Sequence, residues 1–136
     1  MDDVSTLTQL GSKQTDYKVS GANAGILETF PNRFPHRDYV IDLVFPEFTS
    51  VCPKTGQPDF ATIRVSYIPK ERCVETKSLK LYFFAYRNDG AFMESITNTI
   101  LEDLVAVCSP KWMRVVGEFN SRGGVALTTT AEHVEK

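Results

Sequence analysis

Hydrophobic residues in this chain recur at one period, then another, then the first again, and no other feature restricts the possible folds as much. Residues 38–45 put Tyr39, Ile41, Leu43 and Phe45 on one face, and residues 61–67 do the same with Ala61, Ile63, Val65 and Tyr67. A two-residue period of this kind marks half-buried strands. The spacing then changes. Residues 78–87 carry Leu79, Tyr82, Phe83 and Tyr86 at three- and four-residue intervals, which predicts a helix. Residues 92–108 predict a second, with Phe92, Ile96, Ile100, Leu104 and Val107 in one stripe and Glu102 and Asp103 opposite. Asn88-Asp89-Gly90 separates the two, Gly90 being suited to a left-handed turn, and Pro110 ends the second helix. From residue 112 the alternation returns through Met113, Val115, Gly117 and Phe119. Ser121-Arg122-Gly123-Gly124 then turns the chain into a Thr- and Val-rich strand over 125–131. This order predicts an α+β fold, a four-stranded antiparallel sheet with two helices packed on one face (ββααββ). Such a sheet has two open edges, so pairing between copies is expected.

The 136 residues suit one domain, and 42% apolar residues suffice for a core. Residues 1–25 are rich in Ser, Thr, Gln, Gly and Asn and read as a flexible tail, leaving 26–136 as the single domain. A net charge of −2 gives a nucleic-acid backbone or an anionic membrane no evident footing. No apolar run approaches the ~20 residues of a membrane span. Three sparse cysteines with no export signal point to reduced thiols in the cytoplasm. No Cys-x-x-Cys or His-x-x-x-His spacing occurs, so no metal is expected.

Residues 46–60 are too polar and too rich in Pro and Gly for a regular element, and a loop of that length in a small domain is usually functional. It holds Cys52 and, seven positions on, Asp59. A thiol reacts as the thiolate, and a free cysteine with a pKa of about 8.5 is mostly protonated near neutrality. A carboxylate held nearby can take that proton and later return it. The plainer reading stays open: a lone cysteine is commonly a small buried residue, and an aspartate before a strand a turn residue. Cys73 and Cys108 are expected to pack in the core.

Three further clusters offer ligand chemistry, each with a structural alternative. In Glu75-Thr76-Lys77-Ser78-Leu79-Lys80, Lys77 and Lys80 fall on one side of a helical turn, and Ser78 near the helix start suggests a phosphate site. A solvated basic first turn would look the same. Glu94, after Phe92 and Met93, could accept hydrogen bonds from ring N–H groups of a purine-like base or simply favour the helix dipole. Arg122-Gly123-Gly124 could hold an anion or only form a tight turn. No Gly-x-Gly-x-x-Gly follows a strand, so a nucleotide would have to bind by other means.

Taken in order, these segments resemble the 7-cyano-7-deazaguanine reductase family, the nitrile reductases of queuosine biosynthesis. The resemblance runs through Phe48-Thr49-Ser50-Val51-Cys52-Pro53, Thr55-Gly56-Gln57-Pro58-Asp59-Phe60, Glu75-Thr76-Lys77-Ser78-Leu79-Lys80-Leu81-Tyr82, Tyr86-Arg87-Asn88, Glu94 and Arg122-Gly123-Gly124. It covers residues 27–130. It implies the tunnelling fold in its single-domain form, with subunits joined edge to edge into stacked rings, a decamer, and active sites between subunits. It further implies that Cys52 attacks the nitrile carbon to give a thioimide, with Asp59 as general acid and base. Val74, Glu75 and Thr76 would complete a base pocket with Glu94. Lys77, Ser78 and Lys80, with Arg122 and Gly123, would meet NADPH, two of which are consumed per amine formed. Met93 stands where the family often has histidine, and Thr76 where Ser or Leu is usual.

Other readings are an amidinotransferase that forms the same thioimide on a nitrile base in tRNA, a cyclohydrolase of the same fold, and a non-catalytic purine- or pterin-binding protein. The first lacks the segment at 75–80, and the second expects zinc ligands. The third would tolerate replacement of Cys52.

Overall fold

The computed structural model describes residues 1–8 and 24–136. Eight regular elements follow in order: β1 (Thr29–Pro31), β2 (Ile41–Val51), β3 (Pro58–Ile68), β4 (Arg72–Val74), α1 (Thr76–Phe84), α2 (Met93–Cys108), β5 (Trp112–Arg122) and β6 (Val125–Val134). The main sheet is antiparallel in the order β2-β3-β5-β6, with both helices over one face, as the alternation of periods predicts. Ala61, Ile63, Val65 and Tyr67 of β3 and Met113, Val115 and Phe119 of β5 are buried there. Leu79, Tyr82 and Phe83 of α1 and Ile96, Ile100 and Leu104 of α2 close the core from above. No helix among the described residues is long and apolar enough to cross a membrane.

Four expectations change. Residues 46–60 are not an irregular loop. β2 runs on to Val51 and β3 begins at Pro58, so only residues 52–57 form the turn of a long hairpin. The alternation had been hidden by a bulge, where the pairing Phe45↔Ile63 is followed by Phe48↔Ala61. Three steps on β2 thus match two on β3, and the one-residue slip reverses which side chains face inward. Before it Ile41, Leu43 and Phe45 face the core; after it Phe48 and Ser50 do. Pro46, which has no N–H to give a ladder, is tolerated at the bulge on this edge strand.

Gly90 does not adopt a left-handed conformation; among the described residues the positive-φ glycines are Gly56, Gly123 and Gly124. Gly90 instead bridges to Val51, and a Cβ there would lie 3.2 Å from the Pro53 Cα. Phe92 is 65% exposed, and caps α2 rather than joining its buried stripe. Asp103 is not simply on the solvent side of α2, because Tyr82 Oη donates to its carboxylate at 2.6 Å. A second small sheet, β1 with β4, also appears, fixing residues 29–31 beside the start of α1. The tail expected over 1–25 falls mostly on residues 9–23, outside the described residues. Within residues 1–8, Thr8 donates through N–H and Oγ1 to the Glu28 carboxylate.

Candidate active site

The hairpin turn after the bulge concentrates unusual chemistry at one end of the sheet. Gly56, at φ +72°, lets the chain reverse, with Gly56 N–H donating to Cys52 O and Cys52 N–H to Gln57 O, both at 2.9 Å. The turn so formed surrounds the Cys52 thiol with donors. The Thr55 hydroxyl contributes most, the N–H groups of Thr55 and Lys54 follow, and the Arg122 guanidinium adds a little. Together they hold the thiol's pKa down at about 7. The other two cysteines go the opposite way. Burial pushes Cys73 up, and Cys108 up to about 12, as expected of the core cysteines they are.

Asp59 is not a turn residue. It lies in β3 on the phase of Ala61, Ile63 and Val65, with its side chain 3% exposed. A buried carboxylate needs a partner. Arg122, at the far end of β5, supplies one: its Nη1 lies 2.8 Å from Asp59 Oδ1, and its Nη2 donates to Gln57 Oε1 at 2.7 Å. One guanidinium therefore ties the end of β5 to the carboxylate and to the thiol-bearing turn. Gln57 was missed in the sequence, because its amide matters only once the two hairpins are adjacent. Beside this cluster lies an open cavity of about 660 Å³ whose walls include Met93, Gln57, Arg122 and Gly123. Glu94 is exposed at the adjoining first turn of α2. Gly123 and Gly124, at φ +57° and +86°, form the two-residue turn, as primed hairpin turns require.

The remaining candidates stand at the other end. Val74, Glu75 and Thr76 line a cavity of about 350 Å³ together with Leu43 and Tyr67, against which Val4 and Leu7 also rest. From Leu43 to Val51 the strand spans roughly 25 Å, at about 3.3 Å per residue. Within one chain the structure does not bring Cys52 and Asp59 together with this pocket.

The start of α1 also differs from expectation. Glu75 is its N-cap, with Oε2 accepting from Lys77 N–H and Oε1 from Ser78 N–H, each at 2.7 Å. The helix end already holds an anion, so it offers no phosphate site of its own. Ser78 is fully buried; its Oγ donates to Glu75 O at 2.8 Å and accepts from Glu28 N–H at 3.0 Å. The hydroxyl expected to meet a cofactor is thus committed inside the fold. Lys80 is exposed and Lys77 half-buried. No group of three or more His, Cys, Asp or Glu arranged to hold a metal occurs among the described residues.

The family model described as QueF-like protein matches residues 58–136. The NADPH-dependent 7-cyano-7-deazaguanine reductase of Nitratidesulfovibrio vulgaris (strain Hildenborough) is 53% identical over 135 residues, 99% of this chain and 81% of the relative. This chain belongs to the QueF-like family. A second family relative, the enzyme of the same name from Nitrosococcus oceani, is 59% identical over 107 residues, covering 79% of this chain and 83% of its own. Among solved structures, an archaeosine synthase described as QueF-Like, in the apo form, superposes with a TM-score of 0.64 at 25% identity. It covers 68% of this chain and 91% of its own. The QueF-like fold therefore carries both the reductases and that synthase, and the residues of the hairpin turn have to be weighed on their own chemistry.

Proposed function

We propose that this chain reduces the nitrile of 7-cyano-7-deazaguanine to the aminomethyl group with NADPH, as its 53–60% identical relatives are named for doing. One observation carries the chemical part: a thiol held down at about 7 sits in the turn that leads into β3, whose second residue is the buried carboxylate Asp59. Asp59 accepts the thiol proton, and Cys52 sulfur adds to the nitrile carbon. One π bond of the nitrile breaks, and its nitrogen takes the proton from Asp59, leaving a thioimide. A free nitrile is a poor hydride acceptor, and the thioimide is a better one. Bound NADPH would supply the two hydrides in succession. The same donors that lower the thiol's pKa stabilise the thiolate when sulfur departs between them, so the turn favours both addition and release.

The cofactor needs cations outside the reacting pocket, and Lys77 and Lys80 suit its phosphates, with the open Gly123 turn allowing close approach while Arg122 stays on Asp59 and Gln57. Ser78 is left out of this set because its hydroxyl is committed to Glu28 and Glu75. Glu94 and Met93 border the cavity next to Cys52 and would face the base. The pocket of Val74, Glu75 and Thr76 reaches the thiol only from a second copy. The functional unit is therefore a homo-oligomer, and its open sheet edges at β2 and β6 are the surfaces available for pairing. The tRNA-directed reading has less support, because the segment 75–80 matches the reductases and the charge is −2.

Intact mass spectrometry after incubation with 7-cyano-7-deazaguanine, without NADPH, tests the reading. A gain equal to the whole nitrile compound is expected for the native protein and not for Cys52→Ala. A folded protein that gains no mass would remove the nucleophile from the proposal and favour a binding role.

A further inference from the structure

Ser50 is completely buried, and its Oγ is the buried side-chain polar atom that lacks a hydrogen-bond partner among the described residues. A hydroxyl hidden in this way costs stability, so its place in the fold matters. It sits on β2 directly opposite Asp59, in the register Ser50↔Asp59, and both side chains face the core. Cα atoms so paired stand about 4.5–5.5 Å apart, which brings Oγ within reach of the carboxyl group by rotation about one bond. Arg122 binds Asp59 through Oδ1 and approaches from β5. Ser50 approaches from the opposite neighbour, β2. The bulge between Phe45 and Phe48 is what turns Ser50 inward; without that slip, this position would face away from Asp59.

We infer that Ser50 is a positioning residue for the nitrile-capture step, donating its hydroxyl hydrogen to the Asp59 oxygen not held by Arg122. The inference rests on the proposed reduction. When sulfur adds to the nitrile carbon, the proton from the thiol passes through Asp59 to nitrogen, and Asp59 is left as a carboxylate. Arg122 then holds one oxygen and Ser50 the other, so the group stays aimed at the turn on both proton transfers. The Ser50 hydroxyl therefore acts on the proton transfer and not on the thiol itself.

Two reactions of Cys52 separate these roles. Alkylation by iodoacetamide needs the thiolate and releases iodide, with no proton delivered to the reagent. Nitrile capture needs the same thiolate and a proton for nitrogen. For Ser50→Ala, thermal unfolding is expected close to the native midpoint, since Arg122 still holds Asp59 and the change removes one oxygen without moving the strand. Alkylation of Cys52 should keep its native rate, while 7-cyano-7-deazaguanine adduct formation slows by about tenfold. Ser50→Thr, which keeps the hydroxyl, should recover part of the loss. Adduct formation at the native rate in Ser50→Ala would overturn the inference, as would equal slowing of alkylation and capture. If the native protein itself forms no adduct but alkylates normally, the proposed reduction fails instead, and the two failures are told apart.

Discussion

At the residue scale, one thiol differs from the other two. Cys73 and Cys108 are pushed up by burial, whereas donors around Cys52 bring it down to about 7. Nucleophilicity follows the thiolate, whose fraction grows as pH rises through the pKa. Alkylation of Cys52 should therefore climb with a midpoint near 7 and level off above it. The Thr55 hydroxyl makes the largest contribution to that lowering, so Thr55→Ala should move the midpoint upward, toward the ordinary value of about 8.5. A midpoint unchanged in the pH–rate profile would show that the backbone N–H groups suffice. Cys52 was visible in the sequence as a candidate because it shares a polar, Pro-bracketed segment with Asp59, although a lone cysteine reads as readily as a buried residue. The burial of Asp59 was also written there, in its phase with Ala61, Ile63 and Val65, but its place beside Pro58 concealed the strand. Ser78 shows the converse: a serine at a helix start suggests a ligand contact until its two internal partners are seen.

At the element scale, period was a sufficient guide wherever an element is long. Four strands and two helices were legible because each repeats its pattern over several turns or pleats. β1 and β4, at three residues each, are too short to show a period. The second half of β2 was lost because one inserted residue reversed its phase. That reversal turns Phe48 and Ser50, in the half of the hairpin that leads to Cys52, toward the helix side of the sheet. The same face tolerates little added volume. Gly117 lies in β5 under α2, where a Cβ would come within 2.6 Å of Thr97 Oγ1 and 2.8 Å of Phe119 Cε2. The glycine is therefore required by the close packing of helix on sheet, with Thr97 hydrogen-bonded to Thr129 beside it. Gly117→Ala should destabilise the fold by about 1–3 kcal/mol, seen as a lower midpoint in thermal or denaturant unfolding. A midpoint within error of the native one would mean that α2 lifts from the sheet at little cost.

At the scale of the whole molecule, the two groups of candidate residues stand roughly 25 Å apart along β2, at about 3.3 Å per residue. The strand predicted over residues 61–67 already lies between Asp59 and Glu75, and β3 carries the two to opposite ends of the sheet. If each active site takes Cys52 and Asp59 from one subunit and the pocket of Val74, Glu75 and Thr76 from another, two inactive variants should rescue each other. Cys52→Ala removes the nucleophile. Thr76→Trp, at an exposed position lining the pocket, fills it without disturbing the core. Each alone should be inactive in NADPH oxidation with the nitrile base. When the two are unfolded together and reassembled at equal amounts, a site is intact if its thiol comes from the Thr76→Trp chain and its pocket from the Cys52→Ala chain. Random assembly makes that about one site in four, so about a quarter of native activity should return. Mixing the separately assembled variants without exchange should restore none. No recovery after proven co-assembly would place the whole site within one chain, and the pocket at 74–76 would then belong to something other than the nitrile reaction.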